Sequence, residues 1–303
     1  MPKLMAKVFD HLITASRQQI SATTLIEGDI DYHFCAVGFH DFLVDNKLPA
    51  TRAELLPMEE RIHLVVGMKN PLINLRTIST KRHVQYAGGN IVPNDFQADP
   101  DSNMIVLSGP NGGGKSRYVT SIDLIYILAQ NGFHVPAGFY KSSVVDNILT
   151  QFALPDDFKG DGRWKKEVSR IMANVVYRAT PYSLCTIDDF GSGTSYEEAR
   201  APALEVLYGL RRLAPVVLMN THIHDLADDI ESGEFSHARN MRMELIVQPD
   251  TDIIPTYSIV DGKAGKSYAA EIAAGLGLTR ANIDANIAER IENGELPAHL
   301  IRS

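Results

Sequence analysis

The segment Gly109–Ser116 constrains the fold of this chain more than any other part of it. It satisfies the pattern G-x-x-x-x-G-K-S/T, and it follows the apolar run Met104–Leu107, which is typical of a buried strand. A helix is predicted directly after the segment, from near Arg117 to Gln130. A strand, a glycine-rich loop and a helix in this order favour a phosphate-binding loop over a glycine-rich turn without a ligand.

The side chains of this loop predict how it binds a nucleotide. Glycines let consecutive backbone N–H groups approach phosphate oxygens, and the N-terminus of the following helix adds a positive partial charge. Lys115 supplies a cation for the β- and γ-phosphates, and the Ser116 hydroxyl is an oxygen ligand that suits Mg²⁺. The residues of this segment that we expect to bind ATP are Gly109, Pro110, Asn111, Gly112, Gly113, Gly114, Lys115, Ser116 and Arg117.

Composition narrows the class of protein. With 303 residues and 45% hydrophobic side chains, the chain is long enough to bury a sizeable core. Its net charge of −8 provides no overall positive field for nucleic acid, so any DNA contact must be local or supplied by a partner. The two cysteines, Cys35 and Cys185, stand in apolar surroundings in the sequence, which predicts reduced core thiols and fits a cytosolic protein.

The sequence also predicts no association with a membrane. No apolar run reaches the roughly 18 residues that a spanning helix needs, and Met1–Leu4 does not resemble the start of a secretory signal. We therefore expect a cytoplasmic protein, or a nuclear or nucleoid-associated one if it acts on DNA.

The pattern of apolar residues divides the chain into two parts. Near the start, apolar side chains such as Leu4 and Val8 recur at helical spacing and predict a short helical N-terminal segment over residues 1–58. From Ile62 onward, short apolar runs alternate with turn signals, so residues 59–303 are predicted to form an α/β domain.

Two further strand-like runs, Ser183–Ile187 and Pro215–Met219, each end in polar residues. In a parallel nucleotide-binding sheet, the ligand lies at the carboxyl ends of the strands. The polar residues that follow both runs are therefore expected beside the phosphates. Helices near 197–212 and 269–275 are predicted to cover the sheet.

The candidate catalytic residues are Lys115, Asp189 and His222, and the candidate Mg²⁺ ligands are Ser116 and Asp188. Asp189 would orient or deprotonate the attacking water, because hydrolysis depends mainly on positioning and charge stabilisation around the γ-phosphate. His222 would hydrogen-bond a γ-phosphate oxygen. A surface turn for the two aspartates and a structural histidine are the alternatives, and the order of these residues after the loop favours the catalytic interpretation.

Taken together, these motifs resemble the C-terminal ATPase domain of the MutS mismatch-repair proteins, which belongs to the ABC class. The resemblance spans most of the chain and includes residues on both sides of the loop. The matching segments are Val92–Asp95, Gly109–Asn111, Gly113–Ser116, Asn131–Ala137, Ala179–Leu184, Gly191–Ser195, Thr221–His222, Asp261–Gly262 and Lys266–Tyr268.

This resemblance implies a P-loop NTPase fold of the ABC class, with a mixed, mainly parallel sheet covered by helices. It implies an ATPase that uses Mg²⁺, and two ATPase domains that face each other as a homodimer or heterodimer. The residues implied to reach the opposite nucleotide are Gly162, Arg163, Gly193 and Thr194. Ile91 falls where the family usually places a residue that stacks on adenine.

Three departures from the family pattern bear on activity. The family places Glu after the Mg²⁺-binding Asp, whereas Asp189 is one methylene shorter, which predicts slow hydrolysis with binding intact. The signature segment, which carries a Ser-Thr pair in the family, reads Gly-Arg at Gly162 and Arg163 here, and a surface loop with a solvated Lys-Lys pair is the alternative. With about 60 residues before the ATPase region, the chain is expected to lack the mismatch-reading, connector and clamp domains.

Three functions follow as hypotheses. The first is a MutS-like ATPase that takes part in mismatched-DNA recognition or repair. The second is a nucleotide-gated interaction module, which binds ATP and a protein partner without reading DNA itself. The third, a P-loop kinase of a small molecule, is disfavoured because Gly191–Ser195 and Thr221–His222 match the ABC arrangement.

Overall fold

The computed structural model describes residues 28–73, 91–110, 112–153, 162–233, 237–247, 253–264 and 277–296, together with Thr14 and Phe235. The strands in these residues are β1 (Thr51–Arg52), β2 (Glu54–Leu56), β3 (His63–Met68), β4 (Asn94–Ala98), β5 (Met104–Ser108), β6 (His134–Val135), β7 (Phe139–Ser143), β8 (Ile148–Gln151), β9 (Leu184–Phe190), β10 (Val216–Thr221), β11 (Ala238–Val247) and β12 (Ile253–Asp261). The α-helices are α1 (28–45), α2 (Lys115–Gln130), α3 (Arg163–Ile171), α4 (Tyr196–Leu213), α5 (His224–Glu231) and α6 (Arg280–Glu292).

The largest sheet has six strands in the order β12-β11-β5-β10-β9-β8. Five of these strands are parallel to their neighbours, and β12 pairs antiparallel with β11. All of β5 and β10 is buried, which is typical of parallel strands that are covered on both faces. The predicted mixed, mainly parallel sheet is confirmed.

Alternate residues of β5 belong to different cores, because successive side chains point to opposite faces of a sheet. Ile105 and Leu107 pack in one core with α2, whereas Met104 and Val106 pack in the other core with α4. The helix predicted near 197–212 is α4, which begins at Tyr196. The helix predicted near 269–275 lies outside the described residues.

The N-terminal part of the described chain is helical only in α1. Residues 51–56, which the sequence analysis included in a helical segment, form β1 and β2. Strand β1 pairs antiparallel with β6, and β2 pairs parallel with β7 in a four-stranded sheet of order β2-β7-β3-β4. Prolines at Pro49 and Pro57 bound this stretch and oppose a continuing helix, so strand pairing decides its conformation. The division into residues 1–58 and 59–303 stays a prediction.

The two cysteines differ in burial. Cys185 lies in β9 and is buried, as predicted, but the prediction that Cys35 is a core thiol is wrong, because it is exposed on α1. Large apolar side chains of α1, including Phe34 and Val37, are exposed as well. Helical spacing of apolar residues therefore identified the helix without identifying what it packs against. Among the described residues, no helix combines the length and apolarity needed to cross a bilayer.

The loop that follows β9 is held by α3. The Glu167 side chain accepts hydrogen bonds from the Gly191 amide at 2.7 Å and from the Gly193 amide at 3.1 Å. Gly193 approaches so closely that a Cβ there would lie 2.8 Å from Trp164 Cα. The Trp164 ring meets Phe190 edge-on, with ring centroids 5.8 Å apart. These contacts fix the loop directly after the Asp188-Asp189 pair.

A buried carboxylate joins α2 to the sheet. Asp123 accepts hydrogen bonds from the hydroxyls of Thr150 on β8 and Thr186 on β9, at 3.0 and 2.9 Å. Burial raises the pKa of Asp123 to about 6, although both hydroxyls favour its charged form. The cluster therefore ties the helix that follows the glycine-rich loop to the strand that carries Asp188.

We expect the stability of Asp123→Asn relative to the parent to increase as pH rises. Because the folded-state pKa is raised, Asp123 contributes most below its unfolded pKa of about 4, and that contribution is lost as pH rises through about 6. The variant should gain about 2 kcal/mol relative to the parent between pH 4 and pH 7. Denaturant unfolding of both proteins across this range measures the gain, and a difference independent of pH would contradict it.

We expect Glu167→Ala to release the loop after β9. The Gly191 and Gly193 amides lose their acceptor, and each buried donor left unsatisfied costs about 1–3 kcal/mol. Hydrogen exchange should accelerate at both amides by roughly tenfold or more. Ser169→Ala, at an exposed position of the same helix, is the matched control. Unchanged exchange at both glycines would show that the loop is held by other contacts.

Candidate nucleotide site

The loop between β5 and α2 requires glycine at two positions because of what packs against it. Gly109 has φ +144°, and a Cβ there would lie 2.9 Å from Cβ of Met243 on β11. Gly114 has φ +98° and precedes the first residue of α2, and a Cβ there would lie 3.2 Å from the Tyr257 ring. Asn111, one of the predicted ATP-binding residues, lies outside the described residues.

Lys115 is folded back onto its own loop. Its Nζ donates hydrogen bonds to the carbonyl oxygens of Gly109 at 2.7 Å and Pro110 at 2.9 Å. The same nitrogen lies 3.3 Å from Nε2 of His222. Burial lowers the pKa of Lys115 to about 8, while the nearby Asp189 and Asp188 act in the opposite direction. The cation is thus held at the floor of the site between the loop and the ends of two strands.

A β-bulge lies at the carboxyl end of β9. Ile187 pairs with Met219 and Phe190 pairs with Thr221, so Asp188 and Asp189 together lie opposite the single residue Asn220. Asp189 has φ +57°, a left-handed conformation that is uncommon for a residue other than glycine. Bulges of this kind redirect a side chain. Here both carboxylates act electrostatically on Lys115, although consecutive strand residues ordinarily point to opposite faces.

Asp188 is the more deeply placed of the two carboxylates. Asn220 Nδ2 donates to its Oδ1 at 2.6 Å, and the Ser116 hydroxyl lies near enough to favour its charged form. Burial raises the pKa of Asp188, and Asn220 and Ser116 oppose that rise. The two side chains that the sequence predicts as Mg²⁺ ligands are therefore neighbours.

Asp189 and His222 meet at the rim of the same site. Asp189 Oδ1 lies 3.6 Å from His222 Nε2, with the two side chains 28% and 12% exposed. The Thr221 hydroxyl donates to the Phe190 carbonyl at 3.0 Å and accepts from the Ile223 amide, which sets where β10 ends and His222 begins. The structure therefore brings together all three candidate catalytic residues.

These groups line a cleft of about 280 Å³. An apolar cavity adjoins it and shares Gly114, Arg117 and Tyr257 with it. Ile91 lines this apolar cavity, and its contact with a base stays a prediction. The residues that line the 280 Å³ cleft are Gly112, Gly113, Gly114, Lys115, Ser116, Arg117, Asp189, Asn220, His222 and Tyr257.

Sequence reasoning gave no role to two of the lining residues. Asn220 stands at the end of β10, two residues before His222, and this position at a strand end could have identified it as a site residue. Tyr257 lies in the middle of β12, more than 130 residues from the loop, and belongs to no motif. Its backbone has φ +63°, and its carbonyl accepts a hydrogen bond from Asn94 at 3.0 Å. Only the pairing of β12 with β11 places it over Gly114.

The four residues predicted to contact a second subunit lie along one edge. Gly162 is exposed and precedes α3, and the Arg163 guanidinium donates to the Ser192 hydroxyl at 3.0 Å. The Gly193 amide is bonded to Glu167, and the Thr194 hydroxyl donates to Glu198 at 2.5 Å. The start of α3 and the loop after β9 are thus neighbours, and their contact with a second subunit stays a prediction.

The chemistry of the donors fits a cation shared with phosphate. Within the described ranges, no cluster of three or more His, Cys, Asp and Glu side chains could hold a metal ion by itself. Ser116 and Asp188 offer two oxygen ligands, and Mg²⁺ commonly takes one or two protein oxygens together with substrate phosphates and water. The pair is therefore suited to Mg²⁺ that arrives with a nucleotide.

Comparison with known proteins places this chain in a family. The family model of MutS domain V matches residues 105–292, which is more than half of the chain. The chain is 32% identical over 277 residues to the DNA mismatch repair protein MutS of Thermodesulfovibrio yellowstonii, covering 88% of this chain and 31% of that protein. It is 31% identical over 226 residues to MutS of Caldanaerobacter subterraneus, covering 74% of this chain and 24% of that protein.

A eukaryotic relative shows the same likeness. The DNA mismatch repair protein msh3 of Aspergillus fumigatus is 35% identical over 188 residues, covering 60% of this chain and 17% of that protein. The chain spans less than a third of each of these three relatives. From the match to domain V and from the identity over most of its length, this chain belongs to the MutS family.

Proposed function

We propose that this chain is a P-loop ATPase module of the ABC class that binds and hydrolyses ATP in DNA mismatch repair. The observation that carries the proposal is the convergence of Lys115, Ser116, Asp189 and His222 on one cleft, with Asp188 close to Ser116. These are the charged and polar groups that phosphoryl transfer to water requires.

The two adjoining cavities suit the two ends of a nucleotide. The phosphates would lie against the backbone of Gly112–Gly114 and the first turn of α2, where N–H groups and the helix dipole favour anions. The base would enter the apolar cavity, between Ile91 and the Tyr257 ring. Aromatic and aliphatic walls bind a purine face by dispersion and by burial of apolar surface.

Ser116 and Asp188 would hold Mg²⁺ at this site. When bound, the cation supplies charge neutralisation between the β- and γ-phosphate oxygens. Lys115 would exchange its bonds to the Gly109 and Pro110 carbonyls for bonds to the phosphates. A desolvated ammonium gains strongly from such charge-assisted hydrogen bonds.

Asp189 would orient the attacking water and accept its proton. The water oxygen bonds to the γ-phosphorus while the bond from that phosphorus to the β–γ bridging oxygen breaks. ADP then leaves with the bridging oxygen, and the proton passes from Asp189 to the phosphate product. His222, 3.6 Å from Asp189, would hydrogen-bond a γ-phosphate oxygen and so link the water to the phosphate.

Action on DNA and pairing with a second ATPase domain are proposed from the relatives. The relatives carry the name DNA mismatch repair protein, and the chain spans at most 31% of those cited here. We propose that a homodimer or heterodimer forms through the edge that carries Gly162, Arg163, Gly193 and Thr194. ATP-driven closure of that edge would then alter how DNA-binding elements sit on a duplex.

A second candidate function is favoured by the charge of the chain. A net charge of −8 gives no general attraction for phosphate backbones, which supports a nucleotide-gated module that engages a protein partner and leaves DNA to that partner. Both candidates share ATP binding, and they differ in whether DNA changes turnover.

Steady-state ATP hydrolysis by the purified protein tests the proposal. We expect Mg²⁺-dependent turnover that changes with duplex DNA, and differently with a mismatched duplex, at low and moderate salt. Lys115→Ala should weaken ATP binding by about 100-fold or more, because charge-assisted bonds to phosphate are lost. Lys141→Ala, which removes only an exposed ion pair with Glu54, is the control.

The outcomes of this assay separate the two candidates. Turnover that ignores DNA would favour the nucleotide-gated partner module. Parental ATP affinity in Lys115→Ala would show that Gly109–Ser116 is not a phosphate-binding loop, which contradicts both candidate functions.

Lengthening or neutralising Asp189 tests its role. Asp189→Glu brings the carboxylate about one methylene closer to the phosphates, so we expect kcat to persist or to rise by up to about tenfold. Asp189→Asn removes the proton acceptor and should lower kcat by roughly 100-fold while the Kd for ATP stays within about threefold. Single-turnover hydrolysis and nucleotide titration give both numbers. Equal kcat for the parent and Asp189→Asn would show that a group other than Asp189 accepts the proton of the attacking water.

A further inference from the structure

Asn220 is a buried side chain in the cleft that the sequence motifs leave without a role. It lies on β10, two residues before His222, and is 1% exposed. It also lines the same cleft as Lys115, Asp189 and His222. Because of the bulge in β9, both Asp188 and Asp189 lie opposite it in the ladder.

The two polar ends of Asn220 have different surroundings. Its Nδ2 donates to Asp188 Oδ1 at 2.6 Å. A carboxylate at this distance accepts from the amide nitrogen, so the amide oxygen must be turned the other way. That Oδ1 is buried and has no hydrogen-bond partner among the described residues. A buried acceptor without a donor destabilises a fold, and such atoms in native proteins commonly mark a bound water or a catalytic role.

A second asparagine provides an internal comparison. Asn240 on β11 is 7% exposed, donates through Nδ2 to the Ala227 carbonyl at 2.7 Å, and also has a buried Oδ1 without a partner in the described part of the chain. It is absent from the residues that line the cleft. Both asparagines of this sheet therefore have a buried amide oxygen without a partner among the described residues. Asn220 differs from Asn240 because it lines the cleft and donates a hydrogen bond to Asp188.

We propose that Asn220 is a further catalytic residue, whose Oδ1 binds the water that attacks the γ-phosphate. This inference rests on the proposed ATP hydrolysis. A water molecule has two hydrogens, and the Asp189 carboxylate and the Asn220 amide oxygen offer one acceptor each on the same cleft. With both hydrogens held, the lone pairs of the water are left for phosphorus.

The amide oxygen orients the water without taking its proton. As the water oxygen bonds to phosphorus and the bond to the β–γ bridging oxygen breaks, the proton moves to Asp189 and then to the phosphate product. Asn220 Nδ2 meanwhile keeps Asp188 in place. Asn220 thus contacts both Asp188, the proposed Mg²⁺ ligand, and the attacking water that Asp189 would deprotonate.

Asn220→Ala and Asn240→Ala form the matched pair that tests this role. Both changes delete a buried amide with one orphaned oxygen, so they should lower the melting temperature to a similar extent. We expect kcat to fall by roughly 10- to 100-fold in Asn220→Ala only, with the Kd for MgATP within about threefold of the parent. Equal kcat in the two variants, or a loss explained by Kd, would overturn the proposal.

A third variant remains informative if Asn220→Ala does not fold. Asn220→Ser keeps a polar side chain near Asp188, but it is one bond shorter than the amide and lacks the amide oxygen. The proposal expects a loss of kcat similar to that of Asn220→Ala. Parental kcat in Asn220→Ser would show that the amide oxygen does not hold the water.

The kcat of a double variant at Asn220 and Asp189 distinguishes a shared water from a purely structural role of Asn220. If both groups hold one water, the loss in Asn220→Ala combined with Asp189→Asn should be smaller than the product of the two single losses. Independent, multiplicative losses would contradict a shared water. If the parent protein neither binds nor hydrolyses ATP, the proposed function itself is wrong. If the parent hydrolyses ATP and the Asn220 variants keep the parental kcat, only this inference is wrong.

Discussion

The bulge at the end of β9 is the feature on which the site depends. In a regular strand, Asp188 and Asp189 would point to opposite faces of the sheet, and only one of them would approach the loop between β5 and α2. With the extra residue opposite Asn220 and the left-handed conformation of Asp189, both carboxylates act electrostatically on Lys115. The strained backbone is held because β9 is paired on both sides, with β8 and β10.

Buried polar contacts hold the surrounding elements in register with this bulge. On one side of the sheet, Asp123 ties α2 to β8 and β9 through two threonine hydroxyls. Beyond the bulge, Glu167 binds two amides of the following loop and connects it to α3. Asp123 thus joins two elements that carry site residues, α2 and β9, and Glu167 joins the loop after β9 to α3. These contacts also connect the cleft to the edge proposed to meet a second ATPase domain.

The sequence was most informative where chemistry restricts residue choice locally. The loop at Gly109–Ser116, the strand before it and the helix after it were all predicted, because apolar runs and glycines at these spacings have few other uses. The sequence was less informative for β1 and β2. Pro49 and Pro57 were the residues that argued against a helix there, and pairing with β6 and β7 determined the strand conformation. For Cys35, apolar neighbours in the sequence predicted burial, but the helix that carries it leaves that side exposed among the described residues.

Sequence alone determined that this chain has a glycine-rich loop with the pattern of a phosphate-binding loop, two strands that end in carboxylates and a histidine, and motifs that resemble the MutS ATPase domain. Tertiary structure decided how those groups meet. Four such relations join residues that are far apart in the chain: the 3.3 Å distance from Lys115 to His222, the proximity of Ser116 to Asp188, the position of Tyr257 over Gly114 and the hydrogen bond from Asn220 to Asp188. Such contacts depend on strand order and on a one-residue shift in register, and neither is encoded by the spacing of residues within a single segment.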